Sequence, residues 1–315
     1  MFKLVETELK EFETRLEAEL KSPVTFIEAI GEDLVRAGGK RLRPSLSFLA
    51  GRMLGAAPEK VMRVALAVEL LHSASLLHDD LIDDARVRRG NEAAFRRYGN
   101  VVSVMSGDFM LARVLHLLSR LDHAGFTMLM SETATRICEG EVLQFEVASL
   151  GSYSEANYLS IIEGKTAVLM VAALEGVAML AGAPEEERQA LRAFGFAYGR
   201  AFQMQDDYLD LLGEPERLGK PVGGDLREGK ATYPVLLLLE QGSEEARELL
   251  LRRCGQACDV ERMIALVKER GADAATRARI AAEAEAALAA LAVFPDSEAK
   301  GTLVRLAGLE LARQS

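Results

Sequence analysis

The chain has 315 residues and carries 48 acidic against 38 basic side chains, a formal net charge of −10. That balance argues against nucleic acid as a partner. Apolar residues make up 49% of it, which excludes a disordered chain, and eight prolines with no tryptophan favour helix.

In chain order, residues 3–21 read as a charged amphipathic helix, with 1–22 peripheral to the rest. A second helix turns Phe26, Ile27, Ile30, Leu34 and Val35 inward and stops at Gly38-Gly39. The turn Gly38-Gly39-Lys40-Arg41-Leu42-Arg43 presents three cations, and Pro44 opens the next helix. Residues 61–84 form a long apolar helix ending in Asp79-Asp80-Leu81-Ile82-Asp83-Asp84, followed by the loop Arg88-Arg89-Gly90-Asn91. Helices are predicted at 103–120, 124–147 and 155–181. Residues 166–183 are apolar enough to be weighed as a membrane span. Glu175 at the centre of that segment, where lipid penalises charge, makes it a buried core helix instead. The helix 186–212 ends in Asp206-Asp207-Tyr208-Leu209-Asp210. Loops 213–219 and 221–224 follow, then helices at 230–240, 244–252, 259–270, 274–292 and 297–313. No linker interrupts the pattern. The expectation is an all-α protein, a single domain over 1–315, built as one large helical bundle whose two acidic helices face each other across a central cavity. Three cysteines, Cys138, Cys254 and Cys258, lack framework spacing and read as reduced thiols. The N-terminus lacks the apolar core of a signal peptide, and the expected location is cytoplasmic.

The two acidic clusters share the pattern D-D-x-x-D. Residues four apart share a helix face, so Asp79 pairs with Asp83 and Asp206 with Asp210. Two carboxylates about 6 Å apart repel by about 3 kcal/mol at an effective dielectric near 20. One such cluster is readily a solvated acidic face. Two of them, each with basic residues just downstream, point to an oxygen-ligated hard cation such as Mg²⁺, which also binds substrate phosphates. The basic groups are Lys40 and Arg43 on the glycine turn, Arg88 and Arg89, Lys165 beside Thr166, and Lys220 and Lys230 flanking Asp225. Arginine offers phosphate a planar fork and lysine a point charge. Adjacent glycines allow close backbone approach. The pattern describes a site for two diphosphates and several Mg²⁺ ions.

These motifs resemble the trans-isoprenyl diphosphate synthase family. D-D-L-I-D-D-A-R-V-R-R-G is similar to its first aspartate-rich motif and F-Q-M-Q-D-D-Y-L-D to its second. G-G-K-R-L-R-P, E-L-L-H, G-K-T and G-x-D-L-x-x-G-K-x-T-x-P match in the family's order, over roughly residues 25–312. The resemblance implies the isoprenoid synthase fold and a prenyltransferase. It implies that Asp79, Asp83, Asp206 and Asp210 serve the metal, with three Mg²⁺ per site, and that Asp80 supports them. Arg88, Lys165, Thr166, Gln203, Lys220 and Lys230 would hold the allylic diphosphate. Lys40, Arg43, His72 and Arg89 would hold isopentenyl diphosphate. The role of His78, which also matches, stays open. Ionisation of the allylic diphosphate, attack by the isopentenyl double bond and proton loss to the released diphosphate need no dedicated protein base. The chain accordingly offers only four histidines and no Ser/His/Asp set.

Product length should follow the turn before Asp79, where Ala74 and Ser75 are small and related short-chain enzymes carry aromatic side chains. With no insertion in the first motif, this predicts a long-chain product, about C30–C50, on the scale of helices about 30 Å long. Closure by Leu70 or Leu71 would instead give geranylgeranyl or farnesyl diphosphate. A terpene cyclase, a non-catalytic regulatory subunit and a purely structural bundle are rivals. The glycine turn and Arg89 argue against the cyclase, and the full set of aspartates argues against the subunit. The resemblance further implies a homodimer, a product such as a quinone side chain, and at most peripheral membrane contact.

Overall fold

The computed structural model describes residues 2–88, 90–214 and 221–312. Among them the fold is all-α apart from one hairpin of two-residue strands, β1 Val87–Arg88 and β2 Asn91–Glu92. The chain divides into two compact units. Unit 1 comprises Met1–Ala134, Leu169–Arg192 and Val293–Leu303, and unit 2 comprises Thr135–Val168, Ala193–Ala292 and Val304–Ser315.

Unit 1 is organised on α4 (Pro58–Ile82), which is buried at most positions from Val61 to Leu77. Such a helix needs neighbours on every side. One is α3 (Leu42–Leu54), whose Gly51 lies so close that a Cβ there would sit 2.6 Å from Val61. Another is α6 (Asn100–Leu121), where Gly107 accommodates the His78 ring. His78 also faces the Val104 carbonyl at 3.3 Å, which gives it a packing role. The N-terminal helix α1 (Glu6–Glu19) docks by one face, burying Phe12 and Leu16, with Val5 and Leu20 beside it. Phe12 meets Phe48 edge-on at 6.3 Å. After α2 (Thr25–Arg36) the chain reaches α3 two residues earlier than Pro44, which therefore sits inside the first turn.

The apolar segment around Glu175 becomes α9 (Val168–Ala181), buried at every position from Val168 to Leu180 except Met179. By length and composition alone α4, α6 and the helical stretch Glu155–Ala181 could each cross a membrane. Within unit 1, Glu175 is paired with Arg192 at 2.9 Å and Arg188 at 3.6 Å, both at the start of α10 (Glu185–Leu212). A buried charge is tolerated when its counter-charges come with it.

Unit 2 packs α12 (Tyr233–Glu240) against α13 (Glu244–Leu251), α14 (Asp259–Glu269) and α15 (Ala272–Ala290) through Val235, Leu238, Leu249, Met263 and Leu266. The short α11 (Gly224–Glu228) was not predicted. The expected continuous helix 155–181 is interrupted. It starts as α8 (Glu155–Ile162), capped by the Ser154 hydroxyl, then widens into a π-helical turn at Glu163–Ala167 before α9. Glycines on three segments explain the widening, the first being Gly140, where a Cβ would sit 3.3 Å from the Gly164 Cα. A Cβ on Gly164 would sit 2.6 Å from the Arg136 carbonyl on α7 (Ala124–Leu150), and one on Gly199 of α10 would sit 2.5 Å from Ala167. The turn is thus pressed between two backbones.

Gly199→Ala should lower stability by about 1–3 kcal/mol through overpacking, read as a fall in the urea midpoint. Gly308→Ala, on the last helix α16 (Glu298–Ala312) with open space at its Cβ, should not.

Candidate active site

In unit 1, α4 delivers the first acidic motif. Asp79 is half-buried in its last turn, and Asp83, exposed, is the C-cap, its N–H donating to the Asp79 carbonyl at 2.8 Å. Asp80 lies on another face, buried, and lines a cavity of about 80 Å³ together with Ser73, Leu76 and Leu77. The chain leaving the helix is clamped by Arg96 of α5 (Ala94–Tyr98), which reaches the Asp84 carboxylate at 2.7 Å and the Ala85 carbonyl at 3.2 Å. That clamp had no sequence signal. Arg88 lies on β1 beside the hairpin tip, while Arg89 lies outside the described residues. Upstream on α4, Leu70, Leu71 and Ala74 are buried. Ser75 is half-buried, its hydroxyl donating to the His72 carbonyl at 2.9 Å.

The glycine turn departs from expectation. Lys40 is exposed and Arg43 half-buried, but Arg41 is buried. Its side chain is only 5% exposed, donating to Glu13 at 2.6 and 3.0 Å and to Glu69 at 2.8 Å. The turn presents two cations rather than three, because the third has two buried or half-buried carboxylates to satisfy. Burial pulls the Arg41 guanidinium down, but bonds to Glu13 and the charge of Glu69 hold it above its ordinary value.

In unit 2, a cavity of about 160 Å³ gathers Lys165, Thr166, Gln203 and Lys230, four of the predicted substrate ligands. The π-helical turn supplies Lys165 and Thr166, α10 supplies Gln203, and Lys230 follows α11. Lysine 165 is held by Glu141 at 2.6 Å and Gln144 at 3.2 Å. Lys230 pairs with Glu228. A hydrogen-bond chain runs from the Thr166 hydroxyl to the Gln203 carbonyl (2.6 Å), and from the Gln203 amide to Asp207 (2.8 Å). The buried Tyr158 hydroxyl donates to the other Asp207 oxygen at 2.8 Å. Asp207 carries a sequence signal through its place in the acidic motif, whereas nothing in the sequence marks Tyr158. Lys220 lies outside the described residues.

Asp206 is half-buried, whereas Asp210 is buried and accepts the Asp225 N–H at 3.0 Å. Burial pushes the Asp207 carboxyl up, and the charges of Asp206 and Asp210 add to this against the bonds from Gln203 and Tyr158. Asp225 is pushed up likewise, by burial and by Asp207 and Asp210, with Lys230 opposing. Carboxylates crowded into one place, all oxygen donors, fit a hard divalent cation. Among the described residues no three His, Cys, Asp or Glu side chains form a ready-made cage. An ion that completes its shell with water and diphosphate oxygens requires none.

A family model described as polyprenyl synthetase matches residues 24–269. The chain belongs to this family and has its all-α isoprenoid synthase fold. It is 35% identical over 314 residues to octaprenyl diphosphate synthase of Haemophilus influenzae, covering 99% of this chain and 95% of that one. It is 38% identical to the all-trans-nonaprenyl-diphosphate synthase (geranyl-diphosphate specific) of Rhodobacter capsulatus, covering 93% and 91%. The crystal structure of a polyprenyl synthase from Caulobacter crescentus CB15, complexed with calcium and isoprenyl diphosphate, superposes with a TM-score of 0.92 at 38% identity, covering 99% and 97%. By family membership the chain is a prenyltransferase.

A carboxyl whose pKa is raised in the fold stabilises it at low pH, and that contribution is lost as the pH rises through the folded value. With chelator present, the melting temperature should therefore fall between about pH 5 and about pH 8, Asp225→Asn should narrow the difference, and Mg²⁺ should raise it more at the higher pH. Scanning fluorimetry reads all three.

Proposed function

We propose that the chain is a Mg²⁺-dependent trans-polyprenyl diphosphate synthase of the long-chain type, elongating an allylic diphosphate with successive isopentenyl units to about C30–C50. The observation that carries this reading is the unit 2 cavity, where Lys165 and Lys230 stand beside a carboxylate cluster linked to Thr166 through Gln203. Two ammonium groups suit a departing diphosphate, and the crowded acids suit the cation that accompanies it. Mg²⁺ would supply charge neutralisation at the leaving group, with Asp79 and Asp83 as its candidate ligands in unit 1 and Asp206 and Asp210 in unit 2. The Caulobacter relative, crystallised with calcium and isoprenyl diphosphate, supports a divalent ion together with such a ligand.

The protein's own work is binding and exclusion of water. In unit 2, Lys165, Thr166, Gln203 and Lys230 hold the allylic diphosphate, and its ionisation leaves an allylic cation. Lys40, Arg43, His72 and Arg89 hold isopentenyl diphosphate so that its double bond attacks that cation. The proton lost afterwards goes to the released diphosphate. Small side chains at Ala74 and Ser75 leave the growing chain room, and the octaprenyl and nonaprenyl names of the relatives support the long-chain assignment. We also read the protein as a cytoplasmic homodimer. One face of α6 exposes Val101, Met105 and Leu115 to solvent, an apolar stripe suited to a second copy.

Purified protein with Mg²⁺, farnesyl diphosphate and labelled isopentenyl diphosphate should give a product ladder ending near C30–C50, with Asp79→Ala as the inactive but folded control. A ladder stopping at C20 would place the floor at Leu70 or Leu71. Ala74→Tyr should shorten the product to about C15–C20 while turnover continues, because a ring one turn before Asp79 fills the path of the chain. Unchanged products in that variant would remove Ala74 from the path.

A further inference from the structure

We propose that Arg41 is a positioning residue for isopentenyl diphosphate: its buried guanidinium, clamped by Glu13 and Glu69, fixes the turn carrying Lys40 and Arg43 against the helix carrying His72. The inference rests on the reading of those three side chains as diphosphate ligands.

Three observations within unit 1 carry it. The first is direction. Lys40 is exposed while Arg41, its neighbour, is buried, so adjacent cations serve different surroundings. The second is the backbone. Arg41 adopts φ 44° and ψ 43°, a left-handed conformation that side chains other than glycine, asparagine and aspartate rarely take. Gly38 and Gly39 before it also have positive φ, so the approach to α3 is a run of unusual backbone that needs an anchor. The Arg41 carbonyl accepts both the Ser45 N–H at 3.0 Å and the Ser45 hydroxyl at 2.7 Å, which ties the same residue to the first turn of α3. The third is the strut. Glu69 is itself buried and stands on α4 one turn before His72, so the 2.8 Å bond from Arg41 joins the turn directly to the helix segment that presents the histidine. Glu13, from α1, takes the other edge of the guanidinium in a two-point fork.

A plain structural staple would lower the amount of folded protein and leave substrate affinities alone. A positioning residue changes where Lys40, Arg43 and His72 stand relative to one another, and therefore the affinity for one substrate only. Lysine at position 41 keeps the charge but cannot span Glu13 and Glu69 with a planar fork.

The test is steady-state kinetics on the full chain with Mg²⁺, farnesyl diphosphate and isopentenyl diphosphate, alongside melting temperatures. Arg41→Lys and Glu69→Gln should each raise KM for isopentenyl diphosphate about tenfold, with KM for farnesyl diphosphate and kcat per folded molecule within about twofold of wild type. Lys40→Ala serves as the control for the subsite. If it raises KM for isopentenyl diphosphate and the two clamp variants lower only the melting temperature, Arg41 is a staple and the inference fails alone. If Lys40→Ala leaves that KM unchanged, the subsite reading fails and takes the inference with it. Should both clamp variants fold poorly, Glu13→Gln decides, since that carboxylate is more than a third exposed. A selective rise of about threefold is expected of it, and equal loss for both substrates would overturn the proposal.

Discussion

A charge drawn into a helical core costs several kcal/mol unless its partner arrives with it, and this requirement recurs throughout the two units. In unit 1 it joins Glu13, Arg41 and Glu69 from three separate segments, and it joins Glu175 to Arg188 and Arg192. In unit 2 it holds Glu163 of the π-helical turn between Arg136 and Arg200, with Arg200 also paired to Glu283. Each pair fixes how far one helix is rotated and shifted against another, which apolar contacts alone would leave looser. The ligand-facing side chains then stand on elements whose register is already set.

The same requirement produces the strain at the centre of the candidate site. Asp207 has its hydrogen bonds from Tyr158 and Gln203, yet the neighbouring Asp206 and Asp210 work against its ionisation, and Asp225 shares the burden. Acids crowded in this way, with Lys230 opposing the upward push on Asp225, fit a hard cation that arrives with its ligand. The π-helical turn serves the same end by different means. Pressed between α7 and α10, it sets Lys165 and Thr166 on the wall of one cavity although they are consecutive in sequence.

The helical character, the buried role of the 166–183 segment and both acidic helix ends were legible in the sequence because each rests on periodicity or on short-range spacing. Four predicted ligands, Lys165, Thr166, Gln203 and Lys230, do line one cavity. What sequence could not supply were partners chosen in three dimensions. Nothing near Arg41 in sequence shows that its carboxylates sit 28 residues away on either side, so it read as a third surface cation. Tyr158 lies 49 residues from Asp207 and carries no motif. The interruption of the 155–181 helix was hidden because hydropathy reports burial but is silent about a turn widened by close backbones at Gly140, Gly164 and Gly199. Helix starts also moved by a few residues, since proline and capping signals mark the first turn rather than its first residue.

The order in which the chain visits the two units bears on biogenesis. Each unit is assembled from three separate stretches, and the last of unit 1, Val293–Leu303, is separated from the one before it, which ends at Arg192, by a long stretch of unit 2. Neither can be finished as the N-terminal part emerges from the ribosome, because each lacks segments still to be translated. The nascent chain must therefore hold apolar helices such as α4 in incomplete surroundings until Val293–Leu303 has been made. Closing contacts over such separations slows folding and leaves those helices open to aggregation meanwhile. Expression at lower temperature, or with holdase chaperones at hand, suits a molecule threaded in this way, and cutting it at a unit boundary would leave two incomplete pieces.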